Sequence, residues 1–111
     1  MIYVDTLLAY GNVHGHTVWA HLGTSDLTPE GVETLHAFAQ HIRLKRAWFQ
    51  DKPDHPHYDV TPGKHALALK RGAKQVTRQE FVQVCAPALW ARVMARIVAP
   101  DASSPVKEGT L

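Results

Sequence analysis

The chain has 111 residues, a single cysteine and a formal net charge of +2, with 45% hydrophobic and 20% charged residues. That size and balance describe one globular domain, large enough to bury a core without disulfides or a structural metal. With Cys85 alone, an intrachain disulfide and a multi-cysteine zinc site are excluded, and no apolar run approaches the roughly 20 residues of a bilayer span.

Ile2-Tyr3-Val4 is a β-branched and aromatic run that predicts a strand ending at Asp5. No basic segment and apolar run stand at this start, so no signal peptide is expected, and the chain reads as cytoplasmic. The Gly-containing stretch from Thr6 to His16 reads as a loop in which His14 and His16 are solvated. Thr17 to Leu22 predicts a second strand. Thr28-Pro29 is an N-cap followed by proline at the first helical position, opening a helix to about Ile42. Val32, Leu35, Phe38, Ala39 and Ile42 recur at helical spacing as its buried stripe.

Ala47 to Phe49 predicts a short third strand. Thr61-Pro62 repeats the cap-plus-proline signal for a helix through Ala66, Leu67 and Leu69, which Gly72 ends as a left-handed C′ residue. A brief strand over Ala73 to Val76 follows. Thr77-Arg78-Gln79-Glu80 is a capping box before a helix carrying Phe81, Val82 and Cys85, interrupted at Pro87. Ala88 to Val98 is apolar over most of its circumference, so this helix either wraps deeply into the core or joins subunits of a homodimer or other homo-oligomer. The expectation is a single α/β domain over residues 1–99, a short mixed or parallel sheet flanked by helices, with a disordered tail over 100–111.

The chemistry concentrates in His55-Pro56-His57-Tyr58-Asp59, where alternate positions supply two imidazoles and a carboxylate, in a chain holding 8 histidines. Asp5, His21 and Gln50 each end a predicted strand, where ligands of open α/β sheets collect. His36 lies at the margin of its helix's apolar stripe, whereas His41 faces solvent. Imidazole and carboxylate suit Zn²⁺, Mn²⁺, Fe²⁺ or Ni²⁺, so Asp5, His21, His57 and Asp59 are candidate ligands of a divalent transition metal, with His36 as base or orienting group. An open metal site would activate water against a phosphoester or nucleotide. Without metal, His57 would act as general acid or base oriented by Asp59, with Lys64, Lys70 and Arg71 holding phosphate. The competing class is a noncatalytic nucleotide- or nucleic-acid-binding accessory protein. There Thr61-Pro62-Gly63-Lys64 opens a helix with free N–H groups, Lys64, Lys70 and Arg71 neutralise phosphate, and Trp48, Gln50 and Tyr58 line the ligand.

Each residue also fits a plainer role: Asp5 as a turn cap, His21 and His36 as core-edge histidines, Tyr58, Trp19 and Trp48 as packing groups. Cys85 falls on an apolar helix stripe, where a thiol stays inert.

Six short segments stand in an order that resembles the domain-of-unknown-function 4031 family of bacteria and tailed phages. They are Ile2-Tyr3-Val4-Asp5, Val18-Trp19-Ala20-His21-Leu22, Leu35-His36-Ala37-Phe38-Ala39, Arg46-Ala47-Trp48-Phe49-Gln50, His57-Tyr58-Asp59-Val60 and Gly72-Ala73-Lys74-Gln75-Val76-Thr77. The similarity covers Met1 to about Val82. It implies recurrent polar residues at Asp5, His21, His36, Gln50, His57, Tyr58 and Asp59. Thr6-Leu7-Leu8 stands where relatives carry a further acidic residue or a proline-rich loop.

Overall fold

The computed structural model describes residues 1–13 and 16–103. Among the described residues five strands form one mixed sheet: β1 (Ile2–Val4), β2 (Leu8–Val13), β3 (His16–Thr24), β4 (Tyr58–Val60) and β5 (Lys74–Gln75). Four helices accompany them: α1 (Pro29–His41), α2 (Pro62–Lys70), α3 (Arg78–Cys85) and α4 (Pro87–Ser103). The chain is therefore a single α/β domain, as its patterning predicts.

The long strand β3 organises the sheet. Leu22 pairs antiparallel with Val4 of β1 and, on its other side, with Tyr58 of β4, while the N-terminal part of β3 pairs with β2. Only β1 and β5 are parallel, in register Val4↔Gln75. Side chains alternate across a strand, so this pairing sorts the sheet into two faces. Val4, Ala20, Leu22, Tyr58 and Val60 point to one face and bury against Leu35, Ala39 and Ile42 from α1 and Ala68 of α2. Asp5, His21 and Asp59 fall on the other, where α3 covers part of the sheet. Gly23 permits that cover: a Cβ there would stand 2.7 Å from Phe81 Cζ and 3.4 Å from Cys85 Cβ.

The helix starts follow local chemistry. Thr28, Thr61 and Thr77 each accept a backbone N–H from the first turn, Pro29 and Pro62 occupy the first turns of α1 and α2, and Thr77 with Glu80 completes the capping box. Gly72 has φ 108° after α2, the left-handed conformation expected of it. α4 restarts at Pro87, whose missing N–H costs nothing at a helix start.

Two expectations change, and β4 is added to the expected strands. The stretch expected as a loop over 6–16 contains β2, because β3 offers it a partner; His14 and Gly15 lie outside the described residues, as does the side chain of His16. The strand expected over Ala47 to Phe49 is a 3₁₀ turn, Arg46–Trp48, with no strand partner. β4, too short to announce itself, forms because β3 has an unpaired edge beside it. α4 runs from Pro87 to Ser103, and residues 104–111 of the expected tail lie outside the described ones. Along α4, Leu89, Trp90 and Met94 are half-buried and Val93 and Ile97 exposed. Among the described residues no helix is long and apolar enough to cross a membrane.

Candidate functional site

Pairing across β3 gathers polar groups from three places in the chain. His21 and Asp59 are direct cross-strand partners, and His57 joins them because it lies two residues before Asp59 and so on the same face. An isolated bridge between Gln50 and His57 extends the ladder beyond β4 and fixes the intervening turn. Ligand-capable atoms of His21, His57 and Asp59 all lie within 4.8 Å of one another.

The hydrogen bonds settle which ring nitrogen carries hydrogen. A carbonyl or carboxylate oxygen only accepts, so a ring nitrogen bonded to it must donate. His21 Nδ1 donates to Asp5 Oδ2 at 2.7 Å, and His57 Nδ1 donates to the His55 carbonyl at 2.6 Å. Both rings therefore turn Nε2 toward Asp59, whose Oδ1 lies 3.9 Å from His21 Nε2 and 3.4 Å from His57 Nε2. Gln50 Nε2 donates to the other oxygen, Asp59 Oδ2, at 2.7 Å. The rings of His21 and His57 meet edge to face at 5.1 Å, and Phe81 of α3 lies 5.8 Å from His21.

Asp5 is fully buried behind His21, its Oδ1 also accepting the His21 backbone N–H at 2.6 Å. His65 of α2, itself buried, donates Nε2 to the Asp5 carbonyl at 2.9 Å. Burial disfavours a charged His21 ring, but the Asp5 hydrogen bond and the charges of Asp5 and Asp59 outweigh it and raise the pKa. Burial likewise pushes Asp59 up, yet its hydrogen bond to His57 and the charges of His57 and His21 hold it below the usual carboxylate range. Asp5 and Asp59 thus favour the charged form of His21.

His36 does not join this cluster. Its helix packs on the opposite face of the sheet, where His36 Nδ1 and the buried Tyr58 hydroxyl share a 2.8 Å hydrogen bond and Phe49 closes against the ring at 4.5 Å. The helix stripe correctly turned His36 inward; Tyr58 alternates with Asp59 along β4, so the two belong to different faces. Asp5, His21 and Gln50 do converge, although His21 lies inside β3 rather than at a strand end. Convergence comes from antiparallel register, not from the ends of parallel strands.

The cations expected to hold phosphate lie elsewhere. Lys64 donates Nζ to the Ile42 carbonyl at 2.8 Å, closing the C-terminal end of α1, while Lys70 and Arg71 are exposed at the far end of α2. Trp48 is exposed with Lys45 Nζ 5.5 Å from its ring centre. Burial raises the Cys85 thiol to about 12, an inert group as its stripe position predicts.

Two surrounding groups have no role in the sequence reading, His65 behind Asp5 and Arg92 of α4 paired with Asp54; Asp54 in turn bonds His55, whose ring stacks on His57 at 5.4 Å. The HPH spacing alone points to His55; nothing local points to Arg92, which reaches the loop only through the return of α4.

Fold and site together define a small α/β protein with two histidines and one carboxylate gathered on one face of a mixed sheet. Residues 2–88 match the profile of the family described as "Protein of unknown function (DUF4031)", and the chain belongs to that family. No curated protein matches the chain. No solved structure matches it either.

Proposed function

We propose that His21, His57 and Asp59 bind a divalent transition metal and that the bound metal activates water for hydrolysis of a phosphoester or nucleotide. The observation that carries this reading is the orientation of both imidazoles. Each has Nδ1–H committed to a protein oxygen and Nε2 turned toward one carboxylate oxygen, the arrangement by which histidine ligands are fixed in metal sites. Metal–nitrogen bonds of about 2.0–2.1 Å place neighbouring ligands roughly 3.0–3.4 Å apart, so the 3.4 Å between His57 and Asp59 fits and the wider gaps close by small side-chain rotations.

Two nitrogens and one oxygen match a three-ligand catalytic set, leaving positions for water and substrate. Asp5 would then orient His21 rather than ligate, and Gln50 would keep Asp59 Oδ1 directed at the metal. A cation there would be held by the charges of Asp5 and Asp59, the same charges that favour the charged form of His21. The formal net charge of +2 permits an anionic substrate.

Purified protein stripped with chelator is titrated with Zn²⁺, Mn²⁺, Fe²⁺ and Ni²⁺ separately. It is then assayed on bis-p-nitrophenyl phosphate and a nucleotide panel, beside His57→Ala and Asp59→Ala. One equivalent of metal, lost in both variants together with metal-dependent turnover, is the expected result. Equal metal binding by parent and variants would overturn the site, and stoichiometric binding without turnover would overturn hydrolysis.

A further inference from the structure

We infer that the exposed cationic turn from Arg43 to Trp48 is a binding surface for single-stranded nucleic acid, with Trp48 stacking a base and Arg43, Lys45 and Arg46 neutralising the adjoining phosphates. The surface lies at the C-terminal end of α1 and rests on residues separate from the histidine cluster.

The first observation is conformational. Both α1 and α2 end in the same way, with a residue in left-handed conformation whose N–H bonds back three residues and whose successor's N–H bonds back five. After α2 these are Gly72 N–H to the Leu69 carbonyl and Ala73 N–H to the Ala68 carbonyl; after α1 they are Arg43 N–H to the Gln40 carbonyl and Leu44 N–H to the Ala39 carbonyl. α2 uses glycine, the residue without a steric penalty there. α1 places an arginine at φ 65°, the one positive-φ residue other than glycine among those described. Holding a long cation where glycine is favoured sets stability aside for the side chain it keeps.

The second observation is electrostatic. Arg43, Lys45 and Arg46 are all exposed, and none forms an ion pair among the described residues, although Glu33 and Asp51 act on neighbouring His36. Helix C-terminal ends attract cations on their own account, but here Lys64 already holds the Ile42 carbonyl. The other cations are therefore surplus to the helix end.

The third is the aromatic group among them. Trp48 is 49% exposed, with Lys45 against its ring, while Arg46 sits over Phe49 at 5.4 Å. Beside the turn, Ala37, Gln40, His41 and Arg43 line a shallow hollow. Exposed cations close in sequence to a half-exposed indole form the combination that binds unpaired bases without reading sequence, and duplex DNA cannot offer its bases to such a ring.

The test is fluorescence anisotropy of the full chain, with chelator present, on labelled oligo(dT), oligo(U) and a duplex of equal length over a salt series. Polyglutamate serves as competitor. We expect single strands to bind more tightly than duplex, with affinity falling as salt rises, and Trp48→Ala to weaken binding several-fold. Arg43→Gly discriminates best: it should raise the Tm by a few degrees while weakening binding several-fold and flattening the salt dependence by about one charge. A difference between oligo(dT) and oligo(U) assigns the preferred sugar. Absence of binding at low salt, unchanged affinity in Arg43→Gly and Trp48→Ala, or competition by polyglutamate as strong as by oligo(dT) would overturn the inference; the last would make an acidic protein the partner.

Discussion

Asp5 and His21 are joined by three hydrogen bonds: the Asp5 N–H to the His21 carbonyl at 3.1 Å, the His21 N–H to Asp5 Oδ1 at 2.6 Å, and His21 Nδ1 to Asp5 Oδ2 at 2.7 Å. The first continues the ladder between β1 and β3; the other two use it to hold a side chain. Strand pairing thus fixes the position of the carboxylate, and the carboxylate fixes the ring. The imidazole edge facing Asp59 is set from behind, by groups that never face the opening.

Replacing Asp5 by Asn tests that dependence while nearly preserving volume. The amide oxygen retains the bond to the His21 N–H, but the amide nitrogen then faces Nδ1 and forces the ring to accept there. His21 must consequently carry its hydrogen on Nε2, where it cannot ligate. Metal affinity should fall about 10- to 100-fold, read by calorimetric titration, with ¹⁵N NMR reporting the tautomer. Unchanged affinity with an unchanged tautomer would show that Asp5 does not govern the ring.

Gln50 acts on the carboxylate as Asp5 acts on the imidazole. Its amide holds Asp59 Oδ2 at 2.7 Å, while backbone bonds between Gln50 and His57 hold the loop independently of the side chain. Gln50→Ala should therefore cost only about 1 kcal/mol of folding stability, because Asp59 is partly solvated and water replaces the donor. Metal affinity should drop about tenfold. A urea titration and a metal titration on one preparation separate the two effects, and a large stability loss would mark Gln50 as structural instead.

The sequence made the helix starts legible because their signals are local: Thr28, Thr61 and Thr77 carry hydroxyls beside the N–H groups they satisfy. It concealed β2 and β4, whose existence depends on the distant strand β3. β2 also contains Gly11 and Asn12, residues that read as a turn. The site divides similarly. His57 and Asp59 are legible as neighbours because spacing by two places them on one face, whereas the register of His21 with Asp59 has no local signature. His36 lies apart from the cluster because periodicity reports that a helix residue faces the sheet, but not which face of the sheet the helix covers.

Gly23 sets the distance between the sheet and α3. Gly23→Ala would bring a Cβ to 2.7 Å from Phe81 Cζ, and the nearby Cys85 Cβ blocks retreat to the other side. The expected loss is about 1–3 kcal/mol, the usual cost of overfilling a packed region, read as a lower Tm. Phe81→Leu in the same chain should recover part of it, giving favourable coupling in a double-mutant cycle. Since Phe81 also touches His21, the single variant should shift the His21 ring resonances as well. An unchanged Tm would mean that α3 does not pack as closely as this geometry requires.

His36 gives the fold a defined response to acid. Burial disfavours its charged form and Arg46 adds to that, so its pKa lies below the ordinary 6.5 despite the opposing charges of Glu33 and Asp51. The unfolded chain therefore takes up this proton first on acidification. Stability from a neutral His36 is complete above pH 6.5 and declines as pH falls from there toward the lower folded value. His21 works with the opposite sign: its raised folded pKa contributes stability at low pH that is lost as pH rises through the folded value. Urea unfolding of the parent, His36→Leu and Tyr58→Phe between about pH 7.5 and 5 separates them. His36→Leu should lose stability less steeply on acidification than the parent, whereas Tyr58→Phe should keep the slope and lose about 1–3 kcal/mol throughout, because it leaves buried Nδ1 without its hydroxyl partner. Identical slopes for the parent and His36→Leu would show that the ring titrates alike in folded and unfolded chains.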